Sequence, residues 1–269
     1  MRSFAATLLM VIACLPASAQ TGPPPLSPQC EAPGADISTT APLPHLAERL
    51  EKGGSLRILA IGSSSTYGVG ASSRRKAYPA QLRGILEATL KGTEAVITNR
   101  GVSGEVAQTT ADRLRTEVAL EKPDVVLWQL GTNDALSRVK PEDFERTVSS
   151  TLEWLKSNNI DVVLVGLQYT PQFARDDNYF AIREALRRVA AAQNVLYVRR
   201  YDAMQFIART NPNAVEMATD GLHLNDMGYQ CMAEHIAHAV IANLFVRKKD
   251  LPKGEAPKLD APKAETPGK

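Results

Sequence analysis

The chain has 269 residues, 44% of them apolar, with 31 Lys+Arg against 29 Asp+Glu and a formal charge of +2. That composition excludes an intrinsically disordered chain and a polycationic nucleic-acid binder, and the length supports a core that needs no zinc or disulfide to hold it. The charge is unevenly spread: residues 247–269 hold seven Lys/Arg against four Asp/Glu, Arg2 adds one more, and residues 20–246 carry 23 cations against 25 anions, a net of −2.

In chain order, Met1-Arg2-Ser3 leads into an apolar run from Phe4 to Leu15 and then Pro16-Ala17-Ser18-Ala19. A positive start, a short apolar stretch and small residues at 17 and 19 form a signal peptide over residues 1–19, which predicts a periplasmic or secreted protein. The run is too short to span a bilayer. An alternative is that Val11-Ile12-Ala13-Cys14 serves as a lipoprotein box, leaving Cys14 lipidated. Residues 20–44, with prolines at 23, 24, 25, 28, 33, 42 and 44, read as a stiff, poorly packing linker. After export the mature chain keeps Cys30 and Cys231, an even pair in a compartment that permits disulfides. A bridge would pin the N-terminal extension to the last helix; the alternative is a thiol in a linker and a small buried side chain on a helix.

Residues 45–246 alternate short β-rich runs with longer amphipathic ones. Strands are expected at Arg57 to Ile61, Ala95 to Thr98, Val125 to Leu130, Val162 to Leu167 and Val195 to Val198. Helices are expected at Tyr78 to Leu90, Gln108 to Leu120, Glu142 to Lys156, Phe180 to Gln193 and Asp226 to Leu244. Five βα units of this spacing predict a single α/β domain, a three-layer α/β/α sandwich around a five-stranded parallel sheet of flavodoxin-like order. Residues 247–269 repeat a proline every fifth position, at 252, 257, 262 and 267, which forbids a helix and predicts a disordered Pro/Lys-rich tail with at most a weak anionic-surface contact.

Ligands of such sheets bind beyond the carboxyl ends of the strands. There the sequence places Gly62-Ser63-Ser64-Ser65-Thr66-Tyr67-Gly68, then Gly101-Val102-Ser103-Gly104, Gly131-Thr132-Asn133-Asp134, and Asp220-Gly221-Leu222-His223 ahead of the last helix. Each alone is an ordinary turn or helix cap. Together at one sheet edge, a hydroxyl cluster, a glycine turn, an amide and an Asp/His pair make a set suited to acyl transfer. No P-loop, G-x-G-x-x-G, G-x-S-x-G elbow or Cys/His metal spacing occurs, so no nucleotide, metal or other cofactor is expected.

These four blocks resemble those of the SGNH, or GDSL, hydrolase family, from about Arg57 to Ala242 and in the family's order. The layout and Ala77-Tyr78-Pro79 are similar to its secreted bacterial arylesterase and lysophospholipase branch. The resemblance implies Ser64 as nucleophile: all three neighbouring serines have the right chemistry, but only Ser64 stands two residues after Gly62 and two before Thr66. It implies His223 as general base and acid, Asp220 as the partner that orients the imidazole, and an oxyanion hole of the Ser64 and Gly104 N–H groups with the Asn133 amide. One position departs from the family pattern: Ser63 stands where an aspartate usually precedes the nucleophile, which puts the bracing of that loop in question.

The loop from Gln168 to Phe180 is long and aromatic. The resemblance makes it a wall for acyl chain or leaving group, with Tyr169 and Phe173 as substrate contacts; the alternative is a packed surface loop. Tyr67, Tyr78 and Trp128 either line the cleft or fill the core, and Tyr67 is taken as a third substrate contact. The expected activity is hydrolysis of short acyl or aryl esters or lysophospholipids through an acyl-enzyme. The alternative is a carbohydrate O-acetylesterase acting on acylated glycan, and a non-catalytic glycan- or lipid-binding module is disfavoured because every reactive position is filled.

Overall fold

The computed structural model describes residues 22–244 and residue 246. The signal peptide, Cys14 and the proline-lysine tail lie outside the described residues.

Five parallel strands, β1 (Leu56–Gly62), β2 (Ala95–Gly101), β3 (Val125–Gln129), β4 (Asp161–Val165) and β5 (Leu196–Val198), form one sheet in the order β2-β1-β3-β4-β5. This is the flavodoxin-like order that the βα alternation predicts. The helices are α1 (Gly34–Ile37), α2 (Pro44–Lys52), α3 (Ser64–Tyr67), α4 (Tyr78–Thr89), α5 (Ala107–Glu121), α6 (Thr132–Leu136), α7 (Pro141–Ser157), α8 (Asp177–Ala192), α9 (Arg200–Thr210) and α10 (Asp226–Asn243).

The inner strands β1, β3 and β4 are mostly apolar because both faces are covered, whereas the edge strand β2 buries only Ala95, and successive side chains of the inner strands divide between two cores. Ile58, Ala60, Val125, Leu127, Val163 and Val165 face one core with α2, α4 and α10. Leu59, Ile61, Val126, Trp128, Val162 and Leu164 face the other with α5, α7 and α8. Burial of each such side chain is worth about 1.5–3 kcal/mol, which outweighs any local preference of these short strands. Trp128 and Tyr78 are fully buried core residues.

The segment expected to be a poorly packing linker is instead part of the body. Cys30 is bridged to Cys231 on α10, and Ser27 donates from its N–H and hydroxyl to the Glu234 carboxylate at 2.8 and 2.9 Å. His235, buried on α10, donates to the Cys30 carbonyl at 2.7 Å. Further on, Ser38 bridges antiparallel to Val198, Thr39 N–H donates to the Tyr197 carbonyl at 2.9 Å, and Ala41 N–H reaches the Asn243 side chain at 3.0 Å. The strap closes the open edge of β5, whose backbone groups would otherwise be exposed to another chain. The prolines stiffen a path whose fixed points are Cys30, Ile37, Ala41 and Leu43, all buried. Five helices go beyond the predicted set: the short turns α1, α3 and α6, the nine-residue α2, and α9, whose Tyr201, Met204 and Ile207 bury one face at helical spacing.

Candidate active site

The turn after β1 is set by backbone room. Gly62 lies at φ +146°, where a Cβ would stand 2.3 Å from the Gln129 carbonyl oxygen, and a Cβ on Gly101 would stand 2.1 Å from the Tyr67 nitrogen. With those two side chains absent, α3 sits directly on the ends of β1, β2 and β3. Ser63 is the N-cap of this turn and Ser64 its first residue, so the Ser64 N–H has no partner within the helix.

The three serines separate by environment. Ser63 is buried and donates from its N–H and hydroxyl to Gln129 Oε1 at 3.0 and 2.9 Å. Gln129, at the end of β3, thereby braces the loop at the position where the family's usual aspartate is replaced. Ser65 is buried with its hydroxyl toward Gln168 (3.5 Å) and the Arg200 guanidinium (3.3 Å). Only the half-buried Ser64 turns its hydroxyl to the other side, 3.1 Å from His223 Nε2.

His223 Nδ1 lies 2.6 Å from Asp220 Oδ2, and Asp220 Oδ1 accepts the backbone N–H groups of Leu222 and His223, each at 2.9 Å. The His223 ring bond first, then those N–H donors, hold the Asp220 carboxyl down at about 2. It is a carboxylate at any working pH, which fixes Nδ1 as the protonated nitrogen and leaves Nε2 free to accept from Ser64. The loop carrying this pair is held from both sides. Asn225 caps α10 through Gly228 N–H (3.0 Å) and donates to the Val215 carbonyl (2.6 Å), while Gln168 donates to the Leu222 carbonyl at 2.7 Å.

Asn133, at the start of α6, donates one amide hydrogen to the Glu105 carbonyl at 2.8 Å, which leaves its second hydrogen for another acceptor. The neighbouring Asp134 is buried and accepts from Ala107 N–H at 2.8 Å and Gly131 N–H at 3.1 Å, tying the β3 and β2 loops together. Burial pushes its carboxyl up, against those two bonds. Gly104 stands at φ +84° in the β2 loop, and its N–H has no hydrogen-bond partner among the described residues.

Tyr67 is 54% exposed beside this site. Tyr169 packs edge-on against Tyr201 (5.3 Å between centroids) and Phe173 stacks on Tyr179 (5.6 Å). Both belong to an aromatic cluster rooted in the core, and neither borders the cleft that Tyr67 lines.

Sequence reasoning did not single out Gln129, Gln168, Asn225, Arg200 or Glu216. A polar residue closing the otherwise apolar strand VVLWQ and an Asn one residue before a helix were signals for the first and third; nothing local distinguishes Arg200, which is buried, from Arg199, which pairs with Asp202 at 2.8 Å on the surface side. Arg200 leads α9 into the protein behind Ser65, among Tyr78, Tyr179, Tyr229 and Glu216, and burial lowers the pKa of its guanidinium. Burial likewise pushes Glu216 up to about 7, with the Arg200 charge opposing. The folded state therefore retains the Glu216 proton where the unfolded chain, at 4.5, has lost it. Stability falls as pH rises from about 4.5 to 7, by up to roughly 3 kcal/mol, and is level above that window. Glu216→Gln is expected to raise the denaturation midpoint at pH 8 and leave it unchanged at pH 5. Equal midpoints for the two proteins at pH 8 would rule out this account of Glu216.

A parallel sheet of this order, with a serine, a histidine and an aspartate aligned at its carboxyl edge, defines an SGNH/GDSL-type ester hydrolase. Sequence comparison agrees: the chain belongs to the non-GDSL lipase-like family, whose model matches residues 29–245. It is similar to an arylesterase of Vibrio mimicus, 23% identical over 191 residues that cover 70% of this chain and 90% of that one. An acetylxylan esterase of Xylanibacter ruminicola is 39% identical over 97 residues, 34% of this chain and 18% of that protein. Among solved structures, a two-domain esterase active on acetylated mannans superposes with a TM-score of 0.66 at 20% identity, covering 85% of this chain and 61% of that one.

Proposed function

We propose that the protein is an exported serine esterase that hydrolyses carboxylic esters through an acyl-enzyme on Ser64. The observation that carries this reading is the continuous line from Asp220 through His223 to the Ser64 hydroxyl, at 2.6 and 3.1 Å. His223 Nε2 takes the hydroxyl proton as Ser64 Oγ bonds to the ester carbonyl carbon, and the carbonyl oxygen becomes an oxyanion. The Ser64 and Gly104 N–H groups and the spare hydrogen of Asn133 are the donors for that oxyanion, each worth about 3 kcal/mol in comparable sites. The imidazolium then protonates the leaving alkoxide as its bond to carbon breaks. Water repeats the sequence with the same proton path and releases the acid.

Aryl and short-chain acyl esters or lysophospholipids are the leading substrates, by likeness to the arylesterase. An O-acetylated glycan is the second reading, supported by the relatives named for acetylated xylan and mannan. Export is supported by the apolar N-terminal segment and by a disulfide of the kind found mainly in oxidising compartments. Incubation of residues 20–269 with a fluorophosphonate probe is expected to give one adduct, on Ser64, absent in Ser64→Ala and His223→Ala. Equal labelling of Ser64→Ala would overturn the assignment. Rates on p-nitrophenyl esters of rising chain length, set against acetate release from acetylated glycan, separate the two substrate classes.

A further inference from the structure

Beside Tyr67 lies a cleft of about 590 Å³, walled by α4, the outer strand β2 and the turn Arg74–Lys76. Its charge runs against that of the slightly acidic body. Arg74, Arg75 and Arg83 face one acid, Glu87, and Glu87 is already taken by Arg83 at 3.1 Å and by Ala95 N–H at 3.3 Å. Arg74 and Arg75 are exposed and make no hydrogen bond or ion pair among the described residues. Two free guanidiniums thus border a concave space of ordinary ligand size.

Several contacts fix this cleft against the reacting groups. Tyr67 lies one helical turn past Ser64, roughly 5 Å along the axis. A Cβ on Gly70 would stand 3.1 Å from His223 Cβ, so the segment leading to Arg74 runs directly against the histidine. Ser72 then donates from its N–H and hydroxyl to the Asp226 carboxylate at 2.7 and 2.6 Å, fastening the turn three residues beyond His223.

On the reading proposed above, His223 hands its proton to the departing oxygen, so the leaving group lies on the histidine side of the scissile bond. We infer that the cleft is a leaving-group subsite for an oxyanion, and that the enzyme prefers esters whose alcohol or phenol part carries a carboxylate or similar anion, held by Arg74 and Arg75. Guanidinium groups suit this task because their paired N–H donors match a carboxylate's two oxygens. The exposed Tyr67 ring and Ile97 supply apolar contact for the body of the group.

The test uses a matched pair of acetyl esters, 4-acetoxybenzoate and its neutral methyl ester, on the full exported chain. The ratio of kcat/KM, anionic over neutral, is expected to fall about tenfold in Arg74→Ser/Arg75→Ser, and further in Arg74→Glu/Arg75→Glu. Raising the salt should compress the wild-type ratio, since the subsite is open to solvent. A ratio that agrees within twofold in all three proteins overturns the subsite while leaving the esterase reading intact. Should neither ester be hydrolysed, the esterase reading is decided by the fluorophosphonate labelling of Ser64, and the subsite is judged separately, by NMR titration of 4-hydroxybenzoate. Tighter binding to wild type than to the Ser pair supports it, and equal binding overturns it.

Discussion

Replacing Ser64 by alanine is expected to lower kcat for ester hydrolysis by about 10⁴- to 10⁶-fold, with little change in the binding of a non-hydrolysable ester analogue. The size follows from covalent chemistry: without Oγ no acyl-enzyme forms, and only the oxyanion donors act on attacking water. Ser63 and Ser65 cannot take over, because both hydroxyls are buried and turned toward Gln129 and toward Gln168 and Arg200. His223→Ala should cost a similar factor, and the two losses should not add, since one residue activates the other. Asp220→Asn should cost roughly 10⁴-fold, because the new amide N–H can donate to Nδ1, which puts the ring proton on Nε2 and leaves no acceptor for the Ser64 hydroxyl. As the Asp220 carboxyl titrates only at about 2, no loss of activity between pH 4 and 8 should trace to it. A Ser64→Ala protein retaining more than a tenth of the wild-type rate would place the nucleophile elsewhere.

The second large effect concerns stability. The Cys30–Cys231 bridge closes a loop across a separation of 201 residues. Chain-entropy accounting assigns such a loop about 5 kcal/mol, a large share of the 5–15 kcal/mol that typically holds a domain folded. Cys30→Ala/Cys231→Ala is expected to lower the unfolding free energy by about 2–5 kcal/mol in urea titrations. Alanine is the suitable replacement, because both cysteines are fully buried and a serine would add an unpaired hydroxyl. The bonds of Ser27 to Glu234 and of His235 to the Cys30 carbonyl keep the strap's position specified, so the loss should be one of free energy without a change of fold. A loss below 1 kcal/mol would show that those bonds and the β5 contact hold the strap unaided.

The two effects also differ in how far they were legible in the amino-acid order. The five strands, their parallel pairing and the placing of Ser64, Asp220 and His223 at one sheet edge follow from local pattern, because strands buried on both faces must be apolar and crossovers must alternate with helices. Of the strap over residues 27–43, only its Cys30–Cys231 anchor was legible, as one of two readings of an even cysteine pair; its packed course was not. Its prolines are the residues a solvated linker would also have, and what decides its course is a row of partners about 160 to 210 positions away on β5 and α10.

The same division holds inside the site. Motif spacing marked Ser64 among three serines, and the structure supplies the physical reason: its neighbours' hydroxyls are bonded inward, and Gln129 occupies the bracing position that a missing aspartate left open. Likewise, the body's net charge of −2 carried no hint of a cationic cleft. Sequence by itself determined the sheet, its order and the reacting residue types, since periodicity and short motifs are local properties. Only the tertiary structure decided that the proline-rich segment is a strap, that Arg200 lies buried behind the serines, and that Arg74 and Arg75 are left unpaired beside the cleft that Tyr67 lines. Burial, pairing and charge balance are set by neighbours in space, and those neighbours are far apart in the chain.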